Sequence, residues 1–352
     1  MIKYLNKFLL SLLSILLSAG MLFITSEAVL RVLQKGLIEG FKSFFITEPP
    51  HSMLGVSDWV ISDDELGYRL NPRRPGINAL SMREGEIKLP KPLNTKRIVI
   101  LGDSIPYTGK PTFVDILKDY FKNNNQVEVF NASTPGYTNY QELLFLEKYL
   151  LPIQPDIVLL SYVPNDNHKF LHVFDQNANM LFTKEAEESL ALHNIFDVII
   201  SKSYGLTWLK AMFIKKQDDV HKSASKYWWG DSPDFNTAWK DESWDSVTRQ
   251  IEKMWSVLNK NNARLLIVSF PLEDQLRLFS ANTNDLYILK PQTKIAFISE
   301  KRDIPYLDLF PAFYKKYVGK GTQLYTDGLH LTTFGHAVAA EEILAFLNHY
   351  MY

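Results

Sequence analysis

The stretch RIVILGDSIPYTGKPTFVDIL, residues 97–117, sets Ser104 at the end of a short apolar run and just ahead of a helical pattern. Small polar residues there suit a tight turn. A serine at a strand tip is also where a nucleophile would be presented. Three more polar clusters stand at comparable places. NASTPGYTN carries Gly136 after a second apolar run. YVPNDNH carries Asn165 after a third, and YTDGLHLTTFGH carries Asp327 and His330 ahead of the last helical pattern. No single cluster means much. Their order and their shared place at strand ends point to one assembled site. Asp103 and Asp166 read as turn-holding carboxylates and His336 as a packing or surface histidine. His168, His172, His193 and His221 show no metal-ligand spacing.

The elements that must position these residues alternate. RIVILG, QVEVFNAS, PDIVLLSYV, ARLLIVSF and IPYLDLF read as five strands, several of them continuous apolar runs of the kind buried on both faces. Between them KPTFVDILKDYFKN, NYQELLFLEKYLLP, SWDSVTRQIEKMWSVLNKNN and TKIAFISEKRD have helical spacing. TTFGHAVAAEEILAFLNHYM closes the chain as a helix with Thr332 or Thr333 as its cap. The pattern predicts an α/β fold, a three-layer sandwich with a mainly parallel five-stranded sheet. Such sheets bind ligands beyond the carboxyl ends of their strands, where all four clusters fall. Residues 168–240 break the alternation. Either they form a lid or substrate wall, or Trp228, Trp229 and Trp239 pin a long loop to the body. Residues 36–95, rich in Pro, Gly and turn formers, read as a juxtamembrane linker and N-terminal extension with a strand or two. Within them NPRRPG is a solvated turn or a basic patch near lipid.

The composition bounds the possibilities. The chain has 352 residues, with 38 Lys plus Arg against 39 Asp plus Glu, so charge gives no reason to expect a nucleic-acid partner. It has no cysteine, hence no disulfide framework, thiolate metal site or cysteine nucleophile. Lys3 and Lys7 precede an uncharged, largely apolar run from Phe8 to Ser26. That run approaches the ~20 residues that span a bilayer, and it exceeds the core of an ordinary signal peptide. It predicts an uncleaved transmembrane anchor over 1–35, with the bulk of the chain outside the cytoplasm, periplasmic or on the cell surface.

Taken together, Gly102-Asp103-Ser104-Ile105, Gly136, Asn165-Asp166 and Asp327-Gly328-Leu329-His330 resemble the four blocks of the SGNH hydrolases, the GDSL esterase/lipase family, over roughly residues 96–350. The third block normally reads Gly-x-Asn-Asp, and here Val163 stands at the glycine's place. The resemblance implies the flavodoxin-like version of the fold. It also implies Ser104 as nucleophile, His330 as its base through Nε2, and Asp327 as the acceptor that fixes the imidazole tautomer. The Ser104 N–H, the Gly136 N–H and the Asn165 side-chain amide would stabilise the oxyanion. No metal or cofactor is expected. The anchored, Pro-rich preface resembles that of membrane-bound bacterial members.

The function expected from these readings is a membrane-anchored serine esterase that cleaves short-chain or acetyl esters, on a small molecule or an envelope glycan, through an acyl-Ser104 intermediate. Two alternatives share the fold: an O-acyltransferase acting on an envelope polysaccharide, and a non-catalytic glycan-binding or scaffold protein.

Overall fold

The computed structural model describes residues 59–352 apart from 125, 169–172, 175–179, 182–235, 282–285, 321–322 and 352, together with isolated helical positions between 11 and 29. The chain divides into two compact units, Met1–Ser57 with Lys184–Lys226, and Asp58–Thr183 with Tyr227–Tyr352. Most of the expected anchor over 1–35 and most of the 168–240 insertion, Trp228 and Trp229 included, lie outside the described residues. Among the described residues no helix is long and apolar enough to cross a membrane. The fold and the site described next belong to the second unit.

It opens with an antiparallel hairpin, β1 (Val60–Asp63) and β2 (Gly67–Leu70). The chain then enters β3 (Lys96–Gly102), turns through the short helix α1 (Ser104–Tyr107), and continues as α2 (Phe113–Phe121) and β4 (Val127–Asn131). Helix α3 (Asn139–Phe145) runs on through a π turn and a 3-10 turn that ends at Gln154, whose positive φ of 55° breaks the helical path to β5 (Ile157–Tyr162). A 3-10 turn over Pro164–Asn167 follows β5, and β6 (Val173–Phe174) and β7 (Met180–Leu181) make a small antiparallel pair. The remainder is α4 (Trp244–Lys260), β8 (Arg264–Ser269), α5 (Glu273–Ala281), α6 (Lys290–Lys301), β9 (Tyr306–Asp308), α7 (Phe310–Lys320) and α8 (Thr333–Met351).

The five expected strands form one sheet in the order β4-β3-β5-β8-β9, and every pair in it is parallel. Its central strands are buried along almost their whole length because helices cover both faces. The helices sort into two sets. Helix α2 packs with α8, which touches α7, while α4 packs with α3 and α6. Helices α5 and α7 were not expected from the sequence.

Glycine is required at 102, the end of β3. A Cβ there would lie 2.9 Å from both Pro106 Cγ and Ser161 Cβ, closer than packed carbons approach. Gly102 pairs in register with Ser161 of β5, so its missing side chain lets the chain turn tightly into α1 at the centre of the sheet. At the opposite edge Arg97 is fully buried. Its guanidinium donates to Glu128 Oε2 at 2.7 Å, to the Ile153 carbonyl at 2.6 Å and to the Lys88 carbonyl at 2.7 Å. One side chain thus ties β3, β4, the end of the α3 turn and residue 88 together. From residue 58 onward, the segment before β3 folds with the sheet domain.

Candidate active site

Asp103 caps α1, its Oδ1 accepting the Ile105 N–H at 2.9 Å, and this sets Ser104 as the first helical residue at the strand's carboxyl end. Ser104 is nearly buried, at 9% exposure. Its Oγ lies 2.9 Å from His330 Nε2 and 3.5 Å from Asp103 Oδ2, so the imidazole is the better acceptor of its proton. The distance in sequence from Ser104 to His330 is closed by the parallel topology, which brings the loop before α8 back to the tip of β3.

That loop is built for the task. Asp327 Oδ1 accepts the Leu329 N–H at 3.1 Å and the His330 N–H at 2.8 Å, which shapes the turn. Oδ2 lies 2.6 Å from His330 Nδ1. A carboxylate only accepts, so Nδ1 carries the ring proton and Nε2 presents a lone pair to Ser104. Burial alone would raise the Asp327 carboxyl; the hydrogen bonds from the His330 ring and from the two backbone N–H groups outweigh it and hold it below the usual carboxylate range. The Asp327 side chain is still 54% exposed, so water reaches this pair. Thr332 caps α8 directly after it, accepting the Gly335 N–H at 3.1 Å.

Asn165 is 5% exposed and sits in the turn after β5, where its amide donates to Asp103 Oδ2 at 3.1 Å. One of its two N–H groups is thereby used. Val163 has φ −131° and ψ 151°, ordinary extended backbone open to any residue, so valine fits this place without strain. Its N–H donates to Asp166 Oδ2 at 2.7 Å. Asp103 and Asp166 therefore both hold turns.

Gly136 lies in the loop after β4 with φ 78°, the left-handed region glycine favours. The loop is anchored to the tip of β3 by the Thr134 N–H donating to the Gly102 carbonyl at 3.0 Å. The hairpin braces it from below. Tyr68 OH donates to the Pro135 carbonyl at 2.6 Å, and Tyr137 OH donates to the Tyr68 carbonyl at 2.7 Å. Direct hydrogen bonds thus join Ser104, His330 and Asp327. Asn165 joins them through Asp103, and Gly136 through its loop.

Three features around this centre add to the sequence reading, the first being His336, which takes the packing role of the two expected for it. His336 is buried; its Nδ1 accepts the Phe113 N–H at 3.2 Å and its Nε2–H donates to the Thr108 carbonyl at 2.9 Å, so it clasps the loop that follows the Ser104 helix. Beside that helix, Tyr107 meets Trp59 edge to face at 6.1 Å, and Arg74 from NPRRPG lies 4.2 Å over the Trp59 ring. Trp59 is 41% exposed. Glu142, fully buried on α3, is the third. Its signal was present in NYQELLF, where polar residues share the phase of the buried Leu143 and Phe145. Among the described residues no group of three or more His, Asp or Glu side chains is arranged to hold a metal ion.

No family model matches the chain, and no curated protein matches it. Among solved structures, it is similar to the acetyl xylan esterase AlAXEase at 15% identity, over 71% of this chain and 98% of that one, with a TM-score of 0.43. It is similar to a lipase/acylhydrolase from Enterococcus faecalis at 16% identity, over 71% and 94%, with a TM-score of 0.41. A third is a catalytic mutant of Axe2, an acetylxylan esterase from Geobacillus stearothermophilus, at 12% identity over 72% and 94%, with a TM-score of 0.44. Likeness at this level carries no inference about chemistry, which rests on the distances above.

Proposed function

We propose that the chain is an SGNH-type serine esterase. The observation that carries this reading is the continuous hydrogen-bonded path from Asp327 Oδ2 through the His330 ring to Ser104 Oγ. Along it, His330 Nε2 takes the Ser104 proton as Oγ bonds to the acyl carbon. The carbonyl oxygen becomes negative and meets the donors assigned by resemblance, the Ser104 and Gly136 N–H groups and the Asn165 amide, each worth about 10²–10³ in rate. The tetrahedral species collapses by breaking the bond to the alcohol oxygen, which receives the proton from His330. Water, deprotonated by His330, then attacks the acyl carbon; the bond to Ser104 Oγ breaks, Oγ takes the proton from His330, and the acid leaves.

A sugar ester is the substrate class we favour. Trp59, 41% exposed beside the nucleophile's helix, has Arg74 over its ring, and the part of the indole left exposed is apolar surface against which a sugar ring can pack. Membrane anchoring through residues 1–35, with the sheet domain outside the cytoplasm, is supported by the apolar N-terminal sequence. The exposed Met21, Leu22, Ile24 and Val29 support it as well, as do the Ser18 and Thr25 hydroxyls that donate back to the Ser14 and Met21 carbonyls. Acyl transfer to a sugar hydroxyl would use the same acyl-serine with a different acceptor. The test profiles the full chain and its Ser104→Ala variant on acetyl-to-long-chain nitrophenyl esters and acetylated glycans, with and without glycan acceptors. Short-chain turnover that vanishes in Ser104→Ala supports the esterase. Dominant transfer product supports the transferase, and equal turnover by Ser104→Ala refutes both.

A further inference from the structure

Three carboxyl groups lie fully buried within one region beneath the candidate oxyanion donor: Asp103 at the end of β3, Asp166 in the turn after β5, and Glu142 on α3, which packs against that turn. They differ in what donates to them. Asp103 accepts the Ile105 N–H at 2.9 Å and the Asn165 amide at 3.1 Å, which only partly offset the burial that pushes its carboxyl up. Asp166 accepts one firm bond, the Val163 N–H at Oδ2, and among the described residues its Oδ1 has no donor. Neither oxygen of Glu142 has a donor among the described residues. Among the described residues no cation offsets the charge of Glu142 or Asp166. The titratable groups that face them are each other, Asp103 and, beside Asp166, Tyr162, while His330 acts on Asp103 alone.

Two buried carboxylates so short of donors, on a helix and the turn it packs against, are costly to ionise together, since burial takes each out of water and each repels the other. A single proton removes both difficulties. It neutralises one group and makes it a donor to the bare oxygen of its neighbour, as in carboxyl pairs that cannot both ionise. We propose that Glu142 and Asp166 hold one proton between them, and that this bond fixes the turn carrying Asn165, making Glu142 a positioning residue for the oxyanion donor. Burial and the neighbouring carboxyls push both groups well above the usual range, the direction that favours holding a proton. Asp166 Oδ2 holds the start of the turn through Val163, its Oδ1 is held by Glu142, and Asn165 lies between Val163 and Asp166 with its amide aimed at Asp103. The role assigned to Asn165 rests on the esterase reading; the shared proton does not.

The test compares Glu142→Gln with Glu142→Leu in the full chain. Glutamine keeps a group able to bond Asp166, and leucine removes it while filling the space. Glu142→Gln is expected to keep kcat within about threefold of the parent, and Glu142→Leu to lose about 10–100-fold in kcat with KM nearly unchanged, the mark of a donor displaced from the transition state. The parent is expected to show an alkaline loss of kcat, as the shared proton leaves, that is absent from Glu142→Gln. Equal impairment of the two variants, or a folded Glu142→Leu with unchanged kcat, overturns the positioning role. A second readout needs neither activity nor a folded leucine variant. The infrared difference between the parent and Glu142→Gln at neutral pH should contain the carbonyl stretch of a protonated carboxyl group. Its absence overturns the shared proton, whatever becomes of the esterase reading.

Discussion

Replacing Asp327 by asparagine should harm the enzyme more than deleting its side chain, although asparagine is the closer mimic. Asp327 Oδ1 is engaged by the Leu329 and His330 N–H groups at 3.1 and 2.8 Å, so an asparagine must keep its carbonyl oxygen there. Its NH₂ then takes the place of Oδ2, 2.6 Å from His330 Nδ1. A donor facing Nδ1 forces that nitrogen to accept and moves the ring proton to Nε2, which faces Ser104 Oγ at 2.9 Å and can no longer take its proton. A wrong tautomer of this kind costs about 10⁴ in kcat where the acid is buried. In Asp327→Ala the outcome differs because the Asp327 side chain is 54% exposed. Water can enter and accept from Nδ1–H, and solvent screens much of the lost charge, so the loss should be nearer 10², about 2.7 kcal/mol. The assay is kcat and kcat/KM on a short-chain nitrophenyl ester near neutral pH. Asp327→Ala at or below the activity of Asp327→Asn, or either variant at parental activity, would refute the tautomer argument.

Removing Arg97 as Arg97→Met leaves the Ile153 and Lys88 carbonyls without their donor and Glu128 without its partner. Thermal unfolding should fall by on the order of 10 °C, from a loss of about 3 kcal/mol, and an unchanged Tm would show that water replaces the guanidinium. Burial holds the His336 imidazole below the ordinary histidine value of 6.5, only partly offset by its bond to the Thr108 carbonyl. The unfolded chain therefore binds that proton more readily than the folded one, so stability is full above about pH 6.5 and falls as the pH drops below it. Urea midpoints measured from about pH 7.5 to 5 should show a shallower acid loss in His336→Gln than in the parent, and parallel curves would speak against it. Tyr68→Phe deletes the hydroxyl that donates to the Pro135 carbonyl at 2.6 Å, and about tenfold lower kcat with an intact fold is expected if the Gly136 loop is a working part of the site. Trp59→Ala should raise KM on an acetylated glycan several-fold and leave kcat on nitrophenyl acetate alone; equal KM values on the glycan would remove the stacking role.

Strands buried on both faces leave a plain trace in sequence, and RIVILG and PDIVLLSYV were legible for that reason. The closing helix was legible through its length and its threonine cap. Helices α5 and α7 were not. EDQLRLFSA offers a weak apolar stripe, and FPAFYKKYVGK begins with Phe-Pro, which reads as a break although proline is well placed in a first helical turn. Ser104, Asn165, Asp327 and His330 stood out because each lies at the end of a periodic segment. Glu142 did not, because a charged residue in a helix suggests solvent until its phase is compared with that of its neighbours. The hairpin's clasp on the Pro135 loop depends on hydroxyl-to-carbonyl bonds across more than sixty residues, for which a single sequence has no periodic signature.

The most direct test of the account is covalent. A fluorophosphonate requires a nucleophilic hydroxyl beside a base, and it reports on that alone, whatever the natural ester. The account predicts that the full chain is phosphonylated stoichiometrically on the peptide containing Ser104, and that labelling disappears in both Ser104→Ala and His330→Ala. Folded parent protein that takes up no label, or that is labelled equally in Ser104→Ala, would contradict it.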